Sequence, residues 1–139
     1  MPMAADLELT PVGWVASPLT DPVTAPRQGD EGAPPAWLIF HPGYGDALRD
    51  LHPGDPVFVL TWLDRADRSV LRVHPRGDGN RPLTGVFSTR SQDRPNPIGL
   101  HRTTILAVDG PRVRVSGLEV VDGTPILDLK PVLDAGTER

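Results

Sequence analysis

The apolar positions of this chain come in short runs, each closed within a few residues by proline or glycine. Eight runs are rich enough in β-branched and aromatic residues to predict strands. They are LELTPVGWV (7–15), AWLIFH (36–41), VFVLTWL (57–63), SVLRVH (69–74), LTGVFST (83–89), TTILAVD (103–109), RVRVSGLEV (112–120) and PILDLK (125–130). RVRVSGLEV alternates, with Val113 and Val115 on one face and Arg112 and Arg114 on the other, the pattern of a half-buried strand. VFVLTWL is apolar at both parities and predicts a strand buried on both faces. Asp109-Gly110, between two runs, is a strong hairpin signal. Only PGYGDALRDLHPGD (42–55) reads as a short helix, with Ala47, Leu48 and Leu51 on its apolar side and Pro53-Gly54 as its stop.

Strands follow one another without the rhythm of alternating helices. The fold class expected is therefore mainly β, a small closed or nearly closed antiparallel β-barrel with one short helix and long loops. Residues 1–139 are expected to form a single domain. The 17 prolines and 14 glycines support this, because such punctuation shortens elements and disfavours long helices. Two segments read as loops. SPLTDPVTAPRQGDEGAPP (17–35) is long for a structureless connection and is expected to be either functional or disordered, and PRGDGNRP (75–82) is basic and turn-rich.

Composition removes several function classes. The chain has no cysteine, so disulfides and thiolate chemistry are excluded. No apolar run approaches the roughly 18 residues needed to span a bilayer. The N-terminus MPMAADLELT lacks a basic stretch followed by an apolar core, so a cytoplasmic protein without membrane partners is expected. His41, His52, His74 and His101 are scattered, none four residues from another; they read as surface or loop-capping residues, and no metal is expected. Phosphate-loop, dinucleotide, zinc-protease and serine-hydrolase motifs are absent. The formal charge is −4, but it is unevenly spread. Arg72, Arg76, Arg81, Arg90, Arg94, Arg102, Arg112 and Arg114 face only Asp78, Asp93 and Asp109 in the centre of the chain, which leaves room for an anionic partner there.

Three polar constellations remain: APRQG (25–29), TRSQDRPNPIGL (89–100) and VVDGTPILDLKP (120–131). Each alone reads as a turn, since asparagine, aspartate, glycine and proline all favour turns. Together they ask for more. Arg90 and Arg94 bracket Ser91 in a proline-stiffened loop, and Asp128 and Lys130 share one face of a strand. If that face points inward, both charges must be paired or bind something, because isolated buried charges are very costly.

In that order and over nearly the whole chain, APRQ, GVFSTRSQDRPNPIGL and VVDGTPILDLKP resemble the signature blocks of the tsaA-like (TrmO-type) S-adenosylmethionine-dependent methyltransferase family. The RSxxRPNPIGL block is the most specific of them. The resemblance implies a barrel that uses S-adenosyl-L-methionine as cofactor and works as a homodimer. It also implies methylation of N6 in a threonylcarbamoyl-modified adenosine next to the tRNA anticodon. Matched position by position, it places the cofactor against Pro26, Arg27, Gln28, Arg90, Leu100, Glu119, Val120, Val121 and Asp122. Arg94 joins them as a possible fork for the cofactor's carboxylate. An acceptor nitrogen must shed a proton, which makes Asp128 and Lys130 the catalytic candidates, with Asp122 as a second base. The chain departs from the family pattern at Asp55-Pro56, where Ser-His is usual, at Val132 in place of tyrosine, and at Glu119 in place of aspartate. Two other readings stay open: a methyltransferase acting on a small-molecule acceptor, and a non-catalytic ligand-binding barrel.

Overall fold

A computed structural model describes residues 7–20 and 32–134. Its strands are β1 (Gly13–Ala16), β2 (Ala36–Phe40), β3 (Pro56–Trp62), β4 (Arg72–Val73), β5 (Thr84–Gly85), β6 (Ile98–Asp109), β7 (Arg112–Val115) and β8 (Pro125–Pro131). Six of them form a closed antiparallel ring in the order β1-β2-β7-β6-β3-β8, while β4 and β5 make a separate two-stranded ribbon. In a strand every second side chain faces the same way, so the ring collects one parity of each strand inside. Val15, Leu38, Phe40, Val57, Val59, Ile105, Val113, Val115 and Ile126 fill that interior. Burial of each such side chain stabilises by about 1.5–3 kcal/mol relative to exposure. Closure gives every strand of the ring a neighbour on both sides.

The hairpin at Asp109-Gly110 forms as the sequence predicts, with Asp109 opposite Arg112 and Gly110 at φ 55°. Val113 and Val115 point inward, whereas Arg112 lies over the Trp37 ring at 4.8 Å and bonds Asp109 at 2.9 Å. VFVLTWL differs from expectation. Val57, Val59 and Thr61 are buried, but Phe58, Leu60 and Trp62 are only half-buried, because a closed ring gives each strand one inner face. The first predicted strand shortens to Gly13–Ala16, and the runs at 69–74 and 83–89 each keep only two paired residues. β6 begins at Ile98, directly behind Pro97, and not at Thr103. Proline is tolerated at the entrance of a strand, where its missing N–H breaks no ladder. The expected helix is a 3-10 segment, Pro42–Leu48, with Tyr44 outside helical geometry. Leu48 and Leu51 still pack on the core. Beyond β7 the chain is irregular, yet it carries Leu118 and Val120 into the interior.

The seam that closes the ring is short: β1 meets β8 only through Gly13 opposite Ile126 and Trp14 opposite Pro125. A Cβ on Gly13 would overlap the backbone carbonyl of Ile39 in the neighbouring strand. Gly13→Ala is therefore expected to cost about 1–3 kcal/mol in urea unfolding. Gly85→Ala, whose Cβ meets open space, is expected to stay within about 0.5 kcal/mol.

Candidate functional site

Beside the ring lies a cleft of about 910 Å³, bounded by the loop after β3, the β4–β5 ribbon, residues 88–94, the start of β6 and the turn at 119–124. It falls within the roughly 300–1,000 Å³ of small-ligand sites. A smaller cavity of about 120 Å³ sits apart, between the 3-10 segment and β8.

One wall is the loop that leads into Pro95-Asn96-Pro97. Arg94 holds it together: Nη1 donates to the carbonyls of Thr89 (3.1 Å) and Ser91 (2.8 Å), and Nη2 to that of Val86 (2.7 Å). The expected carboxylate fork is thus engaged by its own loop. Arg68 steadies the next residues, bonding Pro95 O at 2.7 Å and Asn96 Oδ1 at 3.0 Å while it lies over Trp62. The Asp67 N–H donates to Asp93 at 2.8 Å and ties the preceding loop to the same wall. Hydrogen bonds from Ser69 hold the Asp67 carboxyl below the usual carboxylate range. The framework leaves Arg90 exposed on the cleft, with no described residue bonded to its guanidinium.

The cleft also reaches a buried polar chain. Thr61 Oγ1 lies 2.7 Å from His101 Nε2, and His101 Nδ1 lies 2.6 Å from Glu119 Oε1. The His101 and Glu119 side chains are 7% and 9% exposed. His101 is therefore no surface or loop-capping residue, as the scattered spacing of the histidines suggested. Had β6 been drawn from Pro97, its parity would have shown this, since Gly99, His101, Thr103 and Ile105 all fall on the inner face. Gly99 is required there: a Cβ would overlap both Thr61 Oγ1 and His101 Nε2. Glu119 Oε2 is buried and has no hydrogen-bond partner among the described residues. Buried polar atoms are nearly always paired, so an unpaired carboxylate oxygen beside a cleft points to a bound donor.

The other sequence-predicted residues divide. Leu100, Val120 and Val121 line the cleft with Arg90, Arg94 and Glu119. Asp122 does not line it. Its Oδ1 accepts the Ser17 N–H at 3.0 Å and its own N–H donates to Leu19 O at 2.6 Å, which fixes the segment entering the 17–35 loop. Pro26, Arg27 and Gln28 lie outside the described residues. Asp128 and Lys130 are absent from the cleft and border the smaller cavity, paired with each other at 3.2 Å and half-exposed. A bulge explains why. Leu60 pairs with Asp128 but Thr61 pairs with Ile126, so Leu127 is an extra residue that reverses the parity of β8. Ile126 and Leu129 therefore pack on the core while Asp128 and Lys130 turn outward. Asp55, Pro56 and Val132, where the chain departs from the family pattern, are not among the cleft residues. Among the described residues, no group of side chains could hold a metal, and no helix is long and apolar enough to cross a membrane.

Residues 14–136 match the family model described as tRNA-methyltransferase O N-terminal domain. A probable S-adenosyl-L-methionine-binding protein of Methanothermobacter thermautotrophicus is 43% identical over 126 residues, covering 91% of this chain and 90% of the relative. An S-adenosyl-L-methionine-binding protein of Archaeoglobus fulgidus is 40% identical over 122 residues, covering 88% and 86%. The crystal structure of TrmO from Pseudomonas aeruginosa superposes with a TM-score of 0.75 at 28% identity, covering 95% of this chain and 58% of that one. A further TrmO structure gives 0.74 at 28% identity, covering 99% and 61%. The chain thus spans about three fifths of the solved TrmO chains it matches.

Removing the Arg94 guanidinium leaves three loop carbonyls without their charged donor. Arg94→Ala is expected to cost about 1.5–3 kcal/mol in denaturant unfolding. Hydrogen exchange at the Thr89 amide, which bonds Val86 O at 3.0 Å, is expected to quicken in the same variant.

Proposed function

The chain belongs to the tRNA-methyltransferase O N-terminal domain family, and from that premise we propose that it is an S-adenosylmethionine-dependent methyltransferase. Its cofactor site is the 910 Å³ cleft, and its acceptor is N6 of a threonylcarbamoyl-modified adenosine beside the tRNA anticodon. The observation that carries this reading is the pairing, on one cleft, of Arg90 with Glu119 Oε2, neither of which has a hydrogen-bond partner among the described residues. Such a donor and acceptor suit a ligand that carries both a carboxylate and hydrogen-bond donors. The cofactor bears a carboxylate, an ammonium and ribose hydroxyls, so the residues fit it.

The bound cofactor supplies a methyl group on a sulfonium, already activated for displacement. The chain's own work is alignment and exclusion of water. Arg90 binds the carboxylate, while Leu100, Val120 and Val121 give the cleft its apolar lining. Arg94 keeps the Arg90 loop in shape. Asp122 anchors Ser17 and Leu19, and Pro26, Arg27 and Gln28 keep their proposed role as cofactor contacts. Arg65, Arg72 and Arg76 also line the cleft and favour a polyanionic acceptor.

Asp128 and Lys130 keep their proposed role on the acceptor's proton. Because they face away from their own cleft, that role requires a second copy of the chain to bring them to the site. The reading is accordingly of a homodimer, and the proposed compartment is the cytoplasm. A small-molecule acceptor is the second reading, favoured by Val132 standing where the family carries an aromatic side chain, since stacking on a base is worth about 1–3 kcal/mol. A non-catalytic barrel has no such support.

Titration calorimetry with S-adenosylmethionine is expected to give saturable binding, weakened in Arg90→Ala by about 1.5–3 kcal/mol. Equal affinity in the variant would remove Arg90 from the site. In a deletion strain, restoring the gene should restore the methylated threonylcarbamoyl nucleoside in hydrolysed tRNA. An unchanged level leaves the small-molecule reading in place of tRNA. Sedimentation should report a dimer, and Asp128→Asn should lower turnover while cofactor affinity is kept; a monomer with full activity would remove Asp128 and Lys130 from the mechanism.

A further inference from the structure

A nine-tenths-buried carboxylate is costly unless both of its oxygens are satisfied, and the described residues satisfy only one of the two on Glu119. The satisfied oxygen, Oε1, is held by more than a single bond. A carboxylate oxygen accepts, so His101 Nδ1 carries the hydrogen in the 2.6 Å contact. The other ring nitrogen, Nε2, is occupied in turn by the Thr61 hydroxyl at 2.7 Å. A histidine bonded at both nitrogens can neither flip nor swing, and this fixes what it bonds.

The arrangement is built into the longest ladder of the ring. Val59 pairs with His101 and Thr61 with Gly99, which makes Thr61 and His101 diagonal neighbours on the inner face of β3 and β6. The ring reaches Thr61 only because Gly99 has no side chain in between. Glu119 comes to them from the irregular segment after β7, which is anchored by the Leu118 N–H on Pro34 O at 3.1 Å and by burial of Leu118 and Val120. Three separate parts of the sequence thus meet to fix one carboxylate, and the oxygen they leave over belongs to a residue that lines the cleft.

We propose that His101 and Thr61 are positioning residues that hold Glu119 with Oε2 presented to the cleft as acceptor for an N–H or O–H donor of the bound cofactor. The inference rests on the cofactor reading of the cleft given above. Its physical content is preorganisation: the carboxylate is desolvated and oriented before the ligand arrives, so binding costs less ordering. The donor is either the cofactor's ammonium or a hydroxyl or amine of its adenosine part, all of which present hydrogen to an anionic acceptor.

The test is calorimetry with S-adenosylhomocysteine, which keeps these donors and is chemically stable, on the full chain and on variants whose melting curves confirm folding. Glu119→Gln and His101→Leu are each expected to weaken binding about tenfold or more. Together they should bind no worse than Glu119→Gln alone, because His101 acts through Glu119. His101→Asn, which keeps an N–H toward Oε1, should recover affinity to within about threefold of wild type. Losses that multiply in the double variant, or unchanged affinity in His101→Leu, would overturn the proposal and leave a structural core network in its place. If His101→Leu fails to fold, Thr61→Val carries the same test. A severalfold loss that disappears in the Glu119→Gln background supports the proposal, and an unchanged affinity overturns it. Repeating the series with 5′-methylthioadenosine, which lacks the amino-acid head, separates the two donors. A loss that persists assigns Oε2 to the adenosine part, and one that vanishes assigns it to the ammonium. Failure of the wild-type chain to bind S-adenosylhomocysteine at all would bring down the cofactor reading itself, an outcome distinct from wild-type binding with multiplicative losses.

Discussion

The inward parity of the closed ring governs everything else in this molecule. A six-stranded ring has an interior only wide enough for side chains, so each strand must send every second residue inside and have it pack or pair there. Along the β3–β6 ladder the inner residues run from Val57 and Thr103 to Thr61 and Gly99, and His101 lies among them. The apolar part makes the core. At inward polar positions Thr61 bonds His101 and His101 bonds Glu119, whereas Thr103 bonds Ser116, and the cleft opens beside the first group. Core and site are thus two stretches of one continuous inner face.

Arginine illustrates how one residue type divides between scaffold and ligand duties. Arg94 spends its donors on the carbonyls of its own loop, Arg68 braces the prolines while covering Trp62, and Arg112 covers Trp37. Arg90, four residues before Arg94, is left to face the cleft. A planar guanidinium serves either purpose equally well, and only the carbonyls around it decide which. The net acidity of the chain is compatible with this, because the cleft draws its walls from the arginine-rich centre of the sequence.

Much of this architecture is legible in the amino-acid order. Alternation in RVRV and the Asp109-Gly110 turn fix the β6–β7 hairpin without further help, because period and turn chemistry agree there. The start of β6 is not legible, because the prolines that punctuate the loop also sit at the mouth of the strand; with those residues left out, His101 loses its parity and its burial. The orientation of Asp128 and Lys130 is hidden for a different reason. One extra residue, Leu127, reverses the face of everything after it, and a bulge leaves no mark in composition. The family resemblance grouped Arg90, Leu100, Glu119, Val120 and Val121, which line one cleft, yet the bonds of Arg94 to its own loop and of Asp122 to residues 17 and 19 depend on distances no motif contains.

The ring's closure also bears on how quaternary structure could arise and change. Every strand of the ring has a neighbour on both sides, so a partner that meets the ring is recognised through outward side chains such as those of Phe58, Leu60 and Trp62, and open strand edges lie on the β4–β5 ribbon. Assembly can therefore drift or specialise through exterior substitutions while the interior stays constant, so that stability and sociability are set by different halves of the same strands.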